Sequence, residues 1–229
     1  MKGLFVTGTD TNVGKTWVGQ HLISALRESG LNVIPRKPIE SGWDKNEEEQ
    51  TDAWLLASAA NKLDSLDEIC PNRFSQPVSP VRAAMLEGKA LSIATIKEQC
   101  TPPHFCTNNS KGNDSSFLYV EGAGGFYSPL CADGLNADLA NALALPILLV
   151  AENRLGCINQ VLLSVGAIEQ RGLNLKAIVL NDVAEHQQED KNMNNQADLS
   201  NLLDYPIVSI SHRQSNKSVF DNLAFLVKK

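Results

Sequence analysis

Gly8-Thr9-Asp10-Thr11-Asn12-Val13-Gly14-Lys15-Thr16 is the stretch that decides the fold. It follows a short apolar run, Leu4-Phe5-Val6, and leads into a helical pattern from Lys15 to Glu28. Strand, glycine-bearing turn and helix form the context a phosphate loop requires. Backbone N–H groups then converge on one concavity, and the helix start adds positive potential. In such a loop Lys15 reaches the outer phosphates and the Thr16 hydroxyl is placed to ligate magnesium. Asn12, Val13, Gly14, Lys15, Thr16 and Trp17 are the candidate nucleotide contacts. The standard spacing puts a glycine where this chain has Thr9; Gly8 comes one place early. The plain alternative is a strand-to-helix turn that happens to contain Gly-Lys-Thr.

Working outward, Ser29-Gly30 is a stop signal for the first helix, with glycine at the C′ place, and Asn32 to Arg36 reads as the next strand of a βαβ unit. That strand runs into Lys37-Pro38-Ile39-Glu40-Ser41-Gly42. Pro38 disfavours helix at Lys37, so Lys37 lies at a strand end. In open α/β sheets the carboxyl ends of strands line the ligand crevice, which places Lys37 for chemistry. Asp44 to Gln50 reads as a polar surface loop, Thr51 as an N-cap, and Asp52 to Ala60 as a helix. Asp52 has two readings: a first-turn carboxylate that complements the helix dipole, or a magnesium ligand.

Phe117-Leu118-Tyr119-Val120 reads as a buried strand ending in Glu121-Gly122-Ala123-Gly124-Gly125. Glycines let a ligand approach the backbone, and an acid beside them can hold magnesium, a hard ion that takes oxygen ligands. Helices are expected over 81–87, 93–99, 136–144, from about 155 to near Gly172, and over 218–226. Strands are expected over 146–151, 175–180 and 207–210. The segment 70–80 is expected to be extended, and 101–116 to be a polar excursion. Strands alternating with helices predict an α/β chain, P-loop NTPase-like, with a mainly parallel sheet covered by helices on both faces. At 229 residues the chain suits a single domain.

The formal net charge is -6 and no basic tract is present, which argues against nucleic acid as the main partner. The longest apolar stretch, 139–151, contains Asn141 and Pro146 and falls short of the roughly 18 residues a span needs, so no membrane partner is expected. The five cysteines show no CxxC spacing, and the expected setting is a reduced, cytoplasmic one. Cys100, His104 and Cys106 fit no common zinc spacing.

With these stretches assembled, the chain resembles the dethiobiotin synthetases. The resemblance rests on GTDTNVGKT at 8–16, KPIESG at 37–42, EGAGGFYSPL at 121–130, LGCIN at 155–159 and ND at 181–182. It implies an enzyme that closes a cyclic urea in 7,8-diaminopelargonate, using carbon dioxide, ATP and magnesium. It implies a carbamate, a carbamic-phosphoric anhydride, and a homodimer with the diamine bound across the subunit interface. By the same resemblance Lys37 and Lys15 are the catalytic cations, and Thr16, Asp52 and Glu121 hold the metal. Thr11, Lys37 and Ser41 contact substrate. Gly156, Cys157 and Asn159 hold the substrate carboxylate from the neighbouring subunit. Gly122, Ala123 and Gly124 border the nucleotide, and Asn181 with Asp182 faces the adenine.

Three features depart from the family pattern. Asn12 stands where many members carry glutamate. His212-Arg213-Gln214 replaces a Pro-x-Leu segment, and the 101–116 excursion is longer than usual. Two other classes share the sheet and loop. P-loop switches that partition DNA or position division machinery usually carry an extra loop lysine and a basic or amphipathic surface. Amide-forming ligases usually append a glutaminase-type domain.

Overall fold

The first strand, β1 (Gly3–Gly8), is buried along its whole length. Successive side chains of a strand point to opposite faces. Leu4 and Val6 therefore enter one apolar cluster while Phe5 enters another. A strand apolar on both sides needs cover on both sides. The computed structural model that provides this describes residues 2–101, 115–184, 193–212 and 216–228.

After β1 come α1 (Lys15–Glu28), β2 (Asn32–Arg36), β3 (Ile39–Ser41), α2 (Asp52–Ala59), α3 (Leu66–Ile69), β4 (Asn72–Phe74), α4 (Pro80–Leu86) and α5 (Ile93–Cys100). They are followed by β5 (Ser116–Gly125), β6 (Pro129–Cys131), β7 (Gly134–Leu135), α6 (Asn136–Leu143), β8 (Ile147–Glu152) and α7 (Cys157–Gln170). The chain closes with β9 (Leu175–Asn181), α8 (Asn195–Ser200), β10 (Ile207–Ile210) and α9 (Lys217–Lys228).

The main sheet has six strands in the order β10-β9-β8-β1-β5-β2, and every neighbouring pair is parallel. On one face Leu22 of α1, Leu56 of α2 and Phe220 of α9 pack on Leu4, Val6 and Tyr119. On the other, Ile96 of α5, Leu139 of α6, Val161 of α7 and Leu199 of α8 pack on Phe5, Leu118 and Leu149. The expected parallel sheet with helices on both faces is the observed one. The chain leaves β1 for the edge strand β2, returns to β5, then crosses to β8 on the far side of β1. The phosphate loop follows the strand where that direction reverses, the place such sheets use for ligands.

Several expectations change in detail. β2 pairs with β5 and not with β1, because β5 is inserted between them. β5 does not stop at Val120. It runs through the glycines to Gly125, with an irregularity in its pairing opposite Val6 and Gly8. Residues Lys45–Gln50 are not a loop but form 3-10 turns, started by an Asp44 carboxylate that accepts from the Asn46 N–H. The extended 70–80 segment yields β4, which pairs in parallel with β3. α3, α8 and the β6–β7 hairpin are short elements without an expected counterpart, too brief to show a periodicity. Cys70, Cys100, Cys131 and Cys157 are buried free thiols. His104 and Cys106, most of the 101–116 excursion, and Arg213-Gln214 lie outside the described residues. Among the described residues no helix is long and apolar enough to cross a membrane.

Candidate active site

The phosphate loop is shaped by one glycine and one amide. Gly14 adopts φ +85, and a Cβ there would stand 2.1 Å from Asn181 Nδ2. That amide donates to the Val13 carbonyl at 3.0 Å, so the end of β9 holds the loop from behind. Helix α1 begins directly after Gly14 and carries Lys15 and Thr16 on its first turn. Lys15 is buried, and its Nζ donates to the Asp10 carbonyl at 3.1 Å. Burial, and then the neighbouring Lys37 cation, pull the Lys15 ammonium down to about 8.

Lys37 sits just past β2, where Pro38 prevents the chain from coiling. Its backbone N–H donates to the Ile69 carbonyl, and its side chain is buried. The Nζ lies 2.7 Å from Asp52 Oδ2 and 2.7 Å from Glu121 Oε1. Burial alone would lower this lysine, but the two carboxylates outweigh it and hold Lys37 above its ordinary range. In return Lys37 keeps the half-buried Asp52 below the usual carboxylate range, against the desolvation that would raise it.

Glu121 is fully buried on β5. Its Oε1 accepts from the Thr16 hydroxyl at 2.8 Å as well as from Lys37, and its Oε2 accepts from the Tyr119 hydroxyl at 3.2 Å. The Asp52 and Glu121 carboxylates thus meet on one ammonium, and the Thr16 hydroxyl joins them through Glu121. That set suits a hard divalent cation, since magnesium typically takes one or two carboxylates and completes its shell with water and phosphate oxygens. Among the described residues no group of three or more His, Cys, Asp or Glu forms a cage that would do without a nucleotide.

These groups border a cleft of about 800 Å³. Of the expected site residues, Thr11, Asn12, Gly14, Lys15, Thr16, Lys37, Ser41, Asp52, Ala123 and Gly124 line it. The Ser41 hydroxyl is buried there and finds no hydrogen-bond partner among the described residues. Glu121 and Gly122 are buried and do not line the cleft. Trp17 turns its ring onto His21 and Phe220, with centroids 4.4 and 5.8 Å apart. Gly156, Cys157, Asn159, Asn181 and Asp182 do not line this cleft. Gly156 and Asn159 are exposed at the start of α7, and Cys157 is buried in the core. Asp182 accepts from Asn153 Nδ2 at 2.7 Å.

Two contributors escaped the sequence reading. Glu40, on β3, accepts from the N–H groups of Asp52 and Ala53 at 2.7 and 3.0 Å, capping α2 and setting Asp52 in place. Burial, and then the Asp52 carboxylate, raise its pKa. Asn136, fully buried, donates to the Ala123, Gly125 and Ser128 carbonyls and accepts from the Ala123 N–H. A glutamate before a capped helix was a visible signal for the first. The second had none, because an asparagine opening a helix looks the same whether or not it reaches a loop.

The chain has counterparts among known proteins. Residues 2–217 match the family described as AAA domain. A protein of Anaeromyxobacter dehalogenans named ATP-dependent dethiobiotin synthetase BioD is 43% identical over 181 residues, covering 79% of this chain and 77% of that one. Proteins of the same name from Vesicomyosocius okutanii and Caulobacter vibrioides are 38% and 37% identical, each covering 80% of this chain and of the relative. Among solved structures, the MinC:MinD cell division complex of Aquifex aeolicus superposes with a TM-score of 0.56 at 12% identity, over 97% of this chain and 86% of that one. The septum site-determining protein MinD of Pyrococcus horikoshii, complexed with Mg-ADP, gives 0.51 at 15%, over 100% and 97%. At such identity these two show the fold alone, the P-loop α/β fold. Identity above one third across four fifths of the sequence shows more: the chain belongs to the ATP-dependent dethiobiotin synthetase family of cyclo-ligases.

Proposed function

We propose that this chain closes the ureido ring of dethiobiotin from 7,8-diaminopelargonate and carbon dioxide at the expense of ATP. One observation carries the reading: the Lys37 ammonium, gripped by Asp52 and Glu121, stands on the wall of the same cleft as Lys15. One amine of the substrate attacks carbon dioxide and loses a proton, giving a carbamate. A carbamate oxygen attacks the γ-phosphorus of ATP, and ADP leaves. The second amine attacks the carbonyl carbon of the resulting anhydride, loses its proton and expels phosphate.

Lys15 stabilises the transferring phosphoryl group, since positioning and electrostatics dominate such transfers. Lys37 stabilises the charge on the carbamate and its phosphorylated form. Thr11 and Ser41 orient the diamine. Magnesium, held by Thr16, Asp52 and Glu121 with the phosphates, would neutralise charge on the bridging oxygens. Asn181 and Asp182 contact the adenine, and the α7 start of a second subunit, at Gly156, Cys157 and Asn159, receives the substrate carboxylate. The exposed stripe Leu155, Leu162 and Leu163, with Asn159 among them, supports such a dimer.

The test is the mass of the product formed from diamine, bicarbonate and ATP. Dethiobiotin is expected, with Lys37→Ala still binding ADP and making none. ATP turnover stimulated by DNA or lipid vesicles but indifferent to the diamine would overturn the proposal in favour of a P-loop switch.

A further inference from the structure

Tyr119 and Glu121 are two residues apart on β5, so both point to the face that carries α1. Tyr119 is completely buried. A buried phenol needs a hydrogen-bond partner, and phenylalanine would fill the same volume without that demand. The hydroxyl donates to Glu121 Oε2 at 3.2 Å, while Thr16 and Lys37 both donate to Oε1. Donors on both oxygens leave the carboxylate one orientation, with Oε1 turned toward the cleft groups.

A second observation comes from the helix opposite. Gly19 lies inside α1, where glycine costs roughly 1 kcal/mol relative to alanine. A Cβ at this position would stand 2.2 Å from the Tyr119 hydroxyl oxygen and 2.9 Å from Leu56 Cδ2. The helix gives up a side chain at the one turn where the hydroxyl approaches it.

We propose that Tyr119 is a positioning residue for Glu121, and that Gly19 opens the space its hydroxyl needs. The inference rests on Glu121 being a ligand on the metal side of the site. Partners behind a metal ligand fix its orientation, and their loss typically weakens metal binding by about 10-fold or more.

The experiment measures Mn²⁺ binding to the full chain with ADP present, by electron paramagnetic resonance, alongside thermal unfolding. Tyr119→Phe should fold normally and bind Mn²⁺ roughly tenfold more weakly. Gly19→Ala should weaken Mn²⁺ in the same direction, by pushing the hydroxyl off its acceptor. Because the closest clash is with the hydroxyl that Tyr119→Phe removes, Gly19→Ala should weaken Mn²⁺ binding less in Tyr119→Phe than in wild type. Wild-type Mn²⁺ binding by Tyr119→Phe, with binding lost in Glu121→Gln, would overturn the proposal while leaving the site intact. Wild-type binding by Glu121→Gln would remove the ligand assignment, and the role of Tyr119 with it.

Discussion

Buried beside the Lys37 cation, the Lys15 ammonium holds its proton less firmly than a free lysine, with its pKa lowered to about 8. A bound phosphate must raise that value, so the complex binds more protons than the free protein in the window above about 8. Linkage then fixes the sign: ADP affinity is flat with respect to this group below pH 8 and falls above it, by up to about tenfold per pH unit. Calorimetric titration from pH 7 to 10 checks this, and Lys15→Arg should flatten the curve because guanidinium keeps its charge. Lys37 answers a different question. It is the cation beside a fully buried Glu121, and removing one partner of a buried pair strands the other. Lys37→Ala should lose about 3–5 kcal/mol of stability in urea unfolding. Magnesium should then raise the Tm of Lys37→Ala more than that of wild type, since a divalent ion can take the place of the ammonium between the carboxylates. Equal Tm gains would show that these two acids do not attract the ion.

Strand ends and helix starts were the most legible elements. Gly14-Lys15, Thr51-Asp52 and Ser29-Gly30 mark boundaries by local chemistry, and α1, α2 and β2 appear where those signals put them. What stayed hidden is what depends on distant partners. The glycines after Glu121 look like a loop because glycine disfavours strands. They continue β5 only because β1 pairs on one side and Asn136, 11 residues on from Gly125, bonds their carbonyls. The same amide suggests a test at this scale. Asn136→Ala would leave several backbone groups of 123–128 unpaired in the interior, and unsatisfied buried groups cost about 1–3 kcal/mol each. Unfolding free energy should drop by about 2–4 kcal/mol, and amide exchange at Ala123 should rise. Unchanged protection there would mean the strand holds itself. Glu40 shows the same limit: its residue type was in view, but its bonds to the first turn of α2 are a property of the β3 register.

Across the whole molecule the cleft accounts for only part of the site the sequence suggested. The phosphate loop, Lys37, Ser41 and Asp52 converge, but the exposed Gly156 and Asn159 belong to a surface this cleft does not include. On the proposed reading, a substrate held by both sets bridges two copies of the chain. The stretch that would form the join is apolar and open, with Leu155 84% and Leu163 67% exposed. A charge at Leu163 opposes burial of that stripe without touching the nucleotide loop, because a carboxylate buried without a partner is costly. Wild type is therefore expected to sediment as a dimer, and Leu163→Glu as a monomer. Its ADP affinity should stay within twofold of wild type while the KM for the diamine rises by about tenfold or more, the loss expected when a carboxylate is left without its hydrogen-bond donors. Monomeric Leu163→Glu with an unchanged diamine KM would place the whole substrate site in one subunit and separate α7 from the chemistry.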